Sequence, residues 1–459
     1  KKMKHLKLNK FALLLVCLSF LSACKDDEAE EMVPEKTLAG FLYTTTNGES
    51  TNQVLKVDRF SDGSVGNEVA YATNSNGGAN TAAGGDARGD FDAQGAIQII
   101  GDYLLNVNAG GNTVSIFSID KPTGALTLEN NVNSGGTRPV SIAYTLKAGS
   151  TNEYWVAVGN QWNNPNVQKD GANIERYPDS SWLADDLTMS DATDMERNLT
   201  LFSFNSSTGA LVLDKQLDTY VRENGGPTTV SFSDDGSKLA VSTWGIAHFG
   251  TALTSLDEQH SSRVYVYDFA NGNVTGERFF EEEGIAGTIG FNWAKGSNST
   301  LHVSNFNLIP TKRDNSLTIL SDDGSAVTKA GNFNTVAIDD IDEACWTLLN
   351  PAGNILYVSS FGANAITAFN VGGTGAISAA GNFESRSGNA PAGDTKDMYV
   401  TSDNKYLYNT GAFQSFSINS FDISGSSLAY KGQTTYSTTS ASVGSAGTYN
   451  FLGLIGYDL

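Results

Sequence analysis

Histidine, cysteine and proline are all scarce in this 459-residue chain, which has 4 His, 3 Cys and 9 Pro. Cys17 and Cys24 fall within the first 24 residues, so Cys345 stands alone in the remaining body and can form no intrachain disulfide there. The run around it, DDIDEACW, is acidic, whereas a nucleophilic thiolate needs a nearby base and an electropositive setting. Cys345 therefore reads as core. His5 lies near the N-terminus and His302 alternates within the strand-like TLHVSN, which leaves His248 and His260 as the loop histidines and first candidates for acid–base chemistry near neutral pH. Phosphate loops, dinucleotide fingerprints and nucleophile elbows are missing, and the Gly residues serve turns, so no cofactor is implied. The apolar run at residues 11–21, FALLLVCLSFL, is too short to span a bilayer as a mature helix.

Positive charge is also short, at 29 Lys and Arg against 50 Asp and Glu. Five of those cations, Lys1, Lys2, Lys4, Lys7 and Lys10, sit ahead of the apolar run, the arrangement of a secretory signal. The run ends in LSAC, which resembles a bacterial lipobox: cleavage before Cys24 would leave its thiol to carry a diacylglycerol, and more than one acyl chain anchors stably. The plain alternative is an ordinary cleavage site with a chance cysteine. Residues 1–23 are thus expected to be a lipoprotein signal peptide and residues 24–37 a lipidated acidic tether, since KDDEAEEMVPEK cannot bury enough surface to fold. CKDDE resembles the acidic signals that send some lipoproteins to the outer face of the outer membrane; the alternative is a solvated spacer. Loss of residues 1–23 removes five Lys and no acid, leaving 24 basic against 50 acidic groups, formally −26. Such a surface repels nucleic-acid phosphates and anionic lipid headgroups, so nucleic acid is excluded and the membrane is reached through the lipid anchor only.

What the sequence has in quantity is Gly (48 residues) and strand-forming alternation. The stretch NTVSIFSIDKPTGALTLENN beginning at Asn112 returns as NLTLFSFNSSTGALVLDKQ from Asn198, and a third Thr-Gly-Ala turn lies in AITAFNVGGTGAISAAGNF. Around each copy the order is short strand, turn, strand, connection, long alternating strand, Gly turn, last strand: a four-stranded meander, A to D. Seven B strands recur, beginning at Phe41, Tyr103, Glu153, Lys238, Thr300, Ile355 and Tyr406. A strands precede the last six, including GTIGFNW from Gly287. The first unit lacks one, and a spare segment, FLGLIGYDL, ends the chain. An all-β, seven-bladed β-propeller over residues 38–459, closed by the C-terminal strand completing blade one, accounts for both facts and removes the exposed edges.

In such a meander the B-to-C connections and the D-to-A crossovers share one face. Units two and six have short B-to-C turns, but units three, four and five insert about residues 160–197, 244–262 and 306–315, long enough to wall a pocket. The first insertion carries Trp162, Trp182 and a group of carboxylates without EF-hand spacing, so it reads as a solvated loop and no metal site is expected. The second carries Trp244, His248, Glu258 and His260. Arg138, in the crossover into unit three, and Arg222 with Glu223, in the crossover into unit four, lie on the same face. Ligand-binding candidates are Arg138, Arg222, Trp162 and Trp244, the arginines suiting a carboxylate or phosphate. His248 and His260 as bases, with Glu258 and Glu223 as partners, are the catalytic candidates. Each arginine serves equally well as half of a salt bridge between blades.

The wording of the blades, LLNVNAGGNTVSIFSIDKPTGALTLENNVNSGGTRPVSIAY, NGGPTTVSFSDDGSKLAVST and ACWTLLNPAGNILYVSSFGANAITAFNV, resembles the lactonase-like seven-bladed propeller family. That family includes cycloisomerase-type 6-phosphogluconolactonases and fungal carboxymuconate cyclases. The resemblance implies a site on the long-loop face, where enzymatic members use His, Glu and Arg on acidic sugar lactones or muconolactones. This chain departs from them: Ser360-Phe361 and Thr243-Trp244 stand where relatives have Asn-Glu, and GTRPVS and GGPTTV lack their paired histidines. Two expectations follow. The leading one is a surface lipoprotein binding a small anionic ligand or another outer-membrane protein; the other is a lactone hydrolase or cycloisomerase.

Overall fold

The alternating segments pair as their periodicity dictates. In the computed structural model, the described residues are 36–48, 51–78, 93–161, 197–220, 224–247, 259–285, 287–306, 316–335, 342–386, 393–412, 414–436 and 450–459. They form seven four-stranded antiparallel sheets, each running A to D outward, the blades of a propeller. Blade 2 is representative, with A at Ile97–Ile100, B at Tyr103–Asn108, C at Thr113–Asp120 and D at Ala125–Asn133. Inner strands are covered on both faces, whereas outer ones bury only scattered apolar residues such as Leu126 and Leu211. YLLNVN is buried after its first residue, whereas strand D of blade 3, Ala210–Thr219, is mostly exposed.

Blade 1 joins the two ends of the body. Its B, C and D strands are Leu38–Thr45, Gln53–Phe60 and Val65–Ala72, and its A strand is Leu452–Asp458, in register Phe41↔Tyr457 and Tyr43↔Ile455. An Arg59–Asp458 ion pair pins the end of that ladder. The closing strand is the one the spare C-terminal segment predicts.

The repeated Gly turns explain themselves in three dimensions. Gly124 in the C-to-D turn of blade 2 has φ +67°, and a Cβ there would lie 2.6 Å from the Phe41 ring of blade 1. Gly63, Gly209 and Gly272 meet Tyr406, Tyr103 and Trp155 in the same way, each from the preceding blade. Each turn thus receives a ring from its neighbour, and only Gly offers both the left-handed backbone and the space. Apolar clusters between blades complete the core. One joins Phe41 and Tyr43 of blade 1 to Ile97, Leu104 and Phe117 of blade 2.

Blade 5 departs from expectation. Its A strand is only Phe291–Trp293, not the longer GTIGFNW. The first half is paired irregularly, with only Gly290 O and Gly287 O accepting the N–H groups of Ser304 and Phe306, where Gly287 is left-handed (φ +65°) and Gly290 faces an intruding side chain: a Cβ at Gly290 would lie 2.4 Å from Gln94 Oε1.

Candidate functional site

The topology places the B-to-C connections and the D-to-A crossovers on one face, and the described part of that face is knitted by backbone hydrogen bonds. Arg138 occupies the crossover between strand D of blade 2 and strand A of blade 3, Pro139–Leu146, with a left-handed backbone at φ +58°. Its N–H donates to Asn112 Oδ1 at 2.9 Å, and its carbonyl accepts the Gln161 N–H at 2.9 Å. Gln161 is buried at the root of the longest insertion, and its Nε2 donates to Pro227 O, where blade 4 begins. Arg138 is thereby held at the base of that insertion, in surroundings so poor in water that burial lowers its guanidinium pKa.

Trp244 follows strand B of blade 4, Lys238–Thr243, and is buried, its ring edge-on to Phe306 at a centroid distance of 5.5 Å. Its carbonyl accepts Ser262 Oγ and Gly287 N–H, so it anchors both roots of the blade 4 insertion. His260 lies in a two-residue ladder, paired through its backbone with Ile246. Trp162, Arg222, Glu223, His248, Glu258 and Cys24 lie outside the described residues. Among the described residues Arg138 and Trp244 are linked through intermediaries: the Trp244 N–H donates to Gly226 O, beside the Pro227 that Gln161 holds. Among the described residues, no three His, Cys, Asp or Glu side chains gather as a metal site. Cys345 is fully buried, with Sγ 3.1 Å from Glu343 O, as its acidic sequence context implies for a packing residue.

The centre of the ring holds what the loop lengths do not reveal. The crossover into blade 2 sends Ala93 and Gln94 across the channel. Trp346 Nε1 of blade 6 donates to Ala93 O at 2.9 Å, and Ser141 Oγ of blade 3 donates to Gln94 O at 2.6 Å. Gln94 N–H donates to Thr229 Oγ1 of blade 4, its Nε2 to Phe291 O of blade 5, and its Oε1 accepts the Thr347 N–H of blade 6. One residue is thus bonded to four blades besides its own, a polar plug with its amide satisfied at both ends.

Beside the plug lies a cavity of about 340 Å³, walled by the A strands. Asp397, in strand A of blade 7 (Thr395–Val400), lines it with 5% of its surface exposed. Its Oδ2 accepts the N–H of Gly453 in the closing strand at 2.8 Å. Burial pushes this carboxyl up to about 7, against the weaker opposing pull of the neighbouring Lys396. Sequence reasoning overlooked both Gln94 and Asp397. The visible signal for Asp397 was an adjacent Lys and Asp inside a strand, TKDMYV, that the fold buries on both faces.

No protein-family model matches this chain, and no curated protein does. Solved structures match over nearly the full length. A candidate 6-phosphogluconolactonase from Bacteroides fragilis is 13% identical, with 91% of this chain and 98% of that one covered and a TM-score of 0.55. The periplasmic gluconolactonase PpgL of Pseudomonas aeruginosa is also 13% identical, covering 91% and 99% with a TM-score of 0.56. A Lactobacillus plantarum protein matches at 13% identity, 92% and 99% coverage and a TM-score of 0.59. At that identity the likeness carries architecture and not chemistry. The chain has the fold of the lactonase-like seven-bladed β-propellers, its ring closed by its own C-terminal strand.

Proposed function

We propose that this chain is a lipoprotein, tethered through Cys24 to the outer membrane and displayed at the cell surface, whose propeller captures a small anionic ligand on its long-loop face. The observation that carries this reading is Arg138, whose backbone is fixed by Asn112 and Gln161 at the root of the longest insertion and whose guanidinium burial has stripped of much of its water. A desolvated guanidinium binds a carboxylate or phosphate more strongly than an exposed one, through two parallel hydrogen bonds. Arg222, Trp162 and Trp244 complete the site in this reading. A docked outer-membrane protein offering an acidic side chain would use the same cation.

The test is calorimetry with gluconate and 6-phosphogluconate on the propeller and its Arg138→Ala and Arg138→Lys variants. Loss of a charged hydrogen-bond donor weakens binding by roughly tenfold or more, and Lys restores only part of it. Equal affinities in all three would refute the site. For the anchor, labelling with radioactive palmitate should mark the wild-type protein and not Cys24→Ser, and protease added to intact cells should digest it.

A second reading, a lactone hydrolase, gains support from the fold shared with the Pseudomonas aeruginosa gluconolactonase. In it His248 or His260 activates water, Glu258 or Glu223 orients the base, and Arg138 holds the substrate anion. Ring opening of a sugar lactone that falls in His260→Ala or His248→Ala would favour this reading; the absence of turnover alongside Arg138-dependent binding would favour the first.

A further inference from the structure

The central cavity differs in chemistry from the long-loop face. Among the described residues, its wall contains one carboxylate, Asp397, and no Lys, Arg or His. Lys396, next along the strand, is not among the wall residues; its Nζ lies 5.2 Å from the centroid of the Trp346 ring, which is part of the wall, and 5.7 Å from that of Phe361. Asp397 is more than nine-tenths buried, and only Oδ2 is engaged by a neighbour, the Gly453 N–H. Among the described residues, Oδ1 takes no hydrogen bond from any neighbouring residue, although the side chain borders open space. The remaining polar groups on the wall are neutral amides and hydroxyls, among them Gln98, Ser231, Asn292 and Tyr399. Tyr144, at the far end of strand A in blade 3, is also on the wall and is 38% exposed, so the cavity opens towards the face of the A-to-B turns. The Gln94 plug obstructs the opposite end.

A buried carboxylate with an oxygen that no neighbouring described residue engages, and with no cation among the described wall residues, disfavours anions and attracts a positive group that brings its own hydrogen-bond donors. Aromatic side chains on the same wall, Phe232 and Tyr399 among them, suit the apolar body of such a ligand. A metal ion is a poor occupant, because a single carboxylate and neutral groups fall short of a coordination sphere. We propose that the channel cavity is a binding site for a small organic monocation, a primary ammonium compound that enters from the turn face and donates to Asp397 Oδ1.

The site is independent of the anion site assigned to Arg138, and the experiment separates them. Full-length protein at pH 8 is titrated calorimetrically with butylammonium, with the neutral alcohol 1-pentanol and with butyrate. Butylammonium should bind, its affinity should fall at least tenfold in Asp397→Asn, and Arg138→Ala should leave it unchanged; neither pentanol nor butyrate should compete. Wild-type protein supplies a second readout that needs no variant. Binding should weaken as pH falls below about 7 and should release a proton, seen as a heat that changes with the ionisation enthalpy of the buffer. Equal binding of pentanol, undiminished binding to Asp397→Asn, the absence of proton release, or no binding by butylammonium would each overturn the proposal.

Discussion

Replacing Asp397 with Asn should make the propeller more stable at pH 8 and leave it unchanged near pH 4. Burial raises this carboxyl from 3.8 to about 7, so the folded chain keeps a proton that the unfolded chain has already released. Stability therefore falls as pH rises from about 4 to about 7 and is flat above that, by linkage. Every tenfold gain in proton affinity on folding corresponds to about 1.4 kcal/mol, so a rise of this size sets an upper limit of about 4 kcal/mol on the cost of ionising Asp397 in place. Asn keeps a carbonyl oxygen to accept the Gly453 N–H and has no charge to desolvate. A gain of about 2–4 kcal/mol at pH 8 follows, vanishing on acidification. Urea unfolding followed by tryptophan fluorescence, at half-unit steps from pH 4 to 8.5, measures the difference directly. A constant offset between the two proteins, or a variant less stable at every pH, would show that Asp397 ionises freely in the folded state and would refute the reasoning.

Burial lowers the pKa of His302, whose Nε2–H donates to Gly375 O at 2.6 Å, so its contribution is intact above about pH 6.5 and is lost as pH falls through the window below. In an Asp397→Asn background, His302→Gln should remove that acid destabilisation, read as converging urea midpoints at pH 7.5 and 5.5. Gly124→Ala and Gly324→Ala both force a side chain onto a left-handed backbone, but only the first meets a neighbouring ring, since nothing lies within 4 Å of the Gly324 position. Thermal denaturation should show Gly124→Ala losing about 1–3 kcal/mol more than Gly324→Ala, the added cost of overpacking. Asp322 of blade 5, its side chain fully buried, binds Arg278 Nη2 of blade 4 at 2.6 Å and also pairs with Lys238. Asp322→Ala removes the buried carboxylate both cations share and leaves them only the half-exposed Asp268, so it should cost up to about 3–5 kcal/mol by denaturant unfolding.

The architecture was legible because it depends on local, repeated chemistry. A Thr-Gly-Ala turn between two alternating strands announces a C-to-D hairpin, and the A strand missing before Phe41 pairs with the spare tail because an open ring would leave Leu42 and Tyr43 unpartnered on one edge. Where the reading erred, a distant residue had intervened. GTIGFNW has the pattern of a full strand, yet its first half is diverted by Gln94, nearly 200 residues earlier in the chain. Loop length drew attention to the B-to-C insertions, whereas the plug comes from a D-to-A crossover, between Ala72 and Ile97, whose length carried the same warning. Trp244 looked like a loop aromatic, but it lies one residue past a buried strand and packs inward. Asp397 was hidden for a different reason. Its significance depends on which neighbours fail to pair with it, and a sequence does not display a missing partner.

The plug also bears on how the two proposed sites relate. A propeller with an open axis would let a ligand on the long-loop face reach the channel, and a single anion site would then sense the Asp397 charge. Here Ala93 and Gln94 bridge blades 3 to 6 across the axis, and the neutral amide between the two compartments has its donor and acceptor both engaged. Repulsion between a bound anion and Asp397 is then relayed through a fixed, satisfied dipole and not through mobile ligand. The affinities of the two sites should be nearly independent. In a cycle of Arg138→Ala, Asp397→Asn and the double variant, the effects on gluconate and on butylammonium binding should add to within about 0.5 kcal/mol. Gly290→Ala should break that independence, because a methyl group there occupies the space of Gln94 Oε1 and expels the plug. If the cycle still closes additively in Gly290→Ala, the plug does not separate the sites, and their distance alone is sufficient.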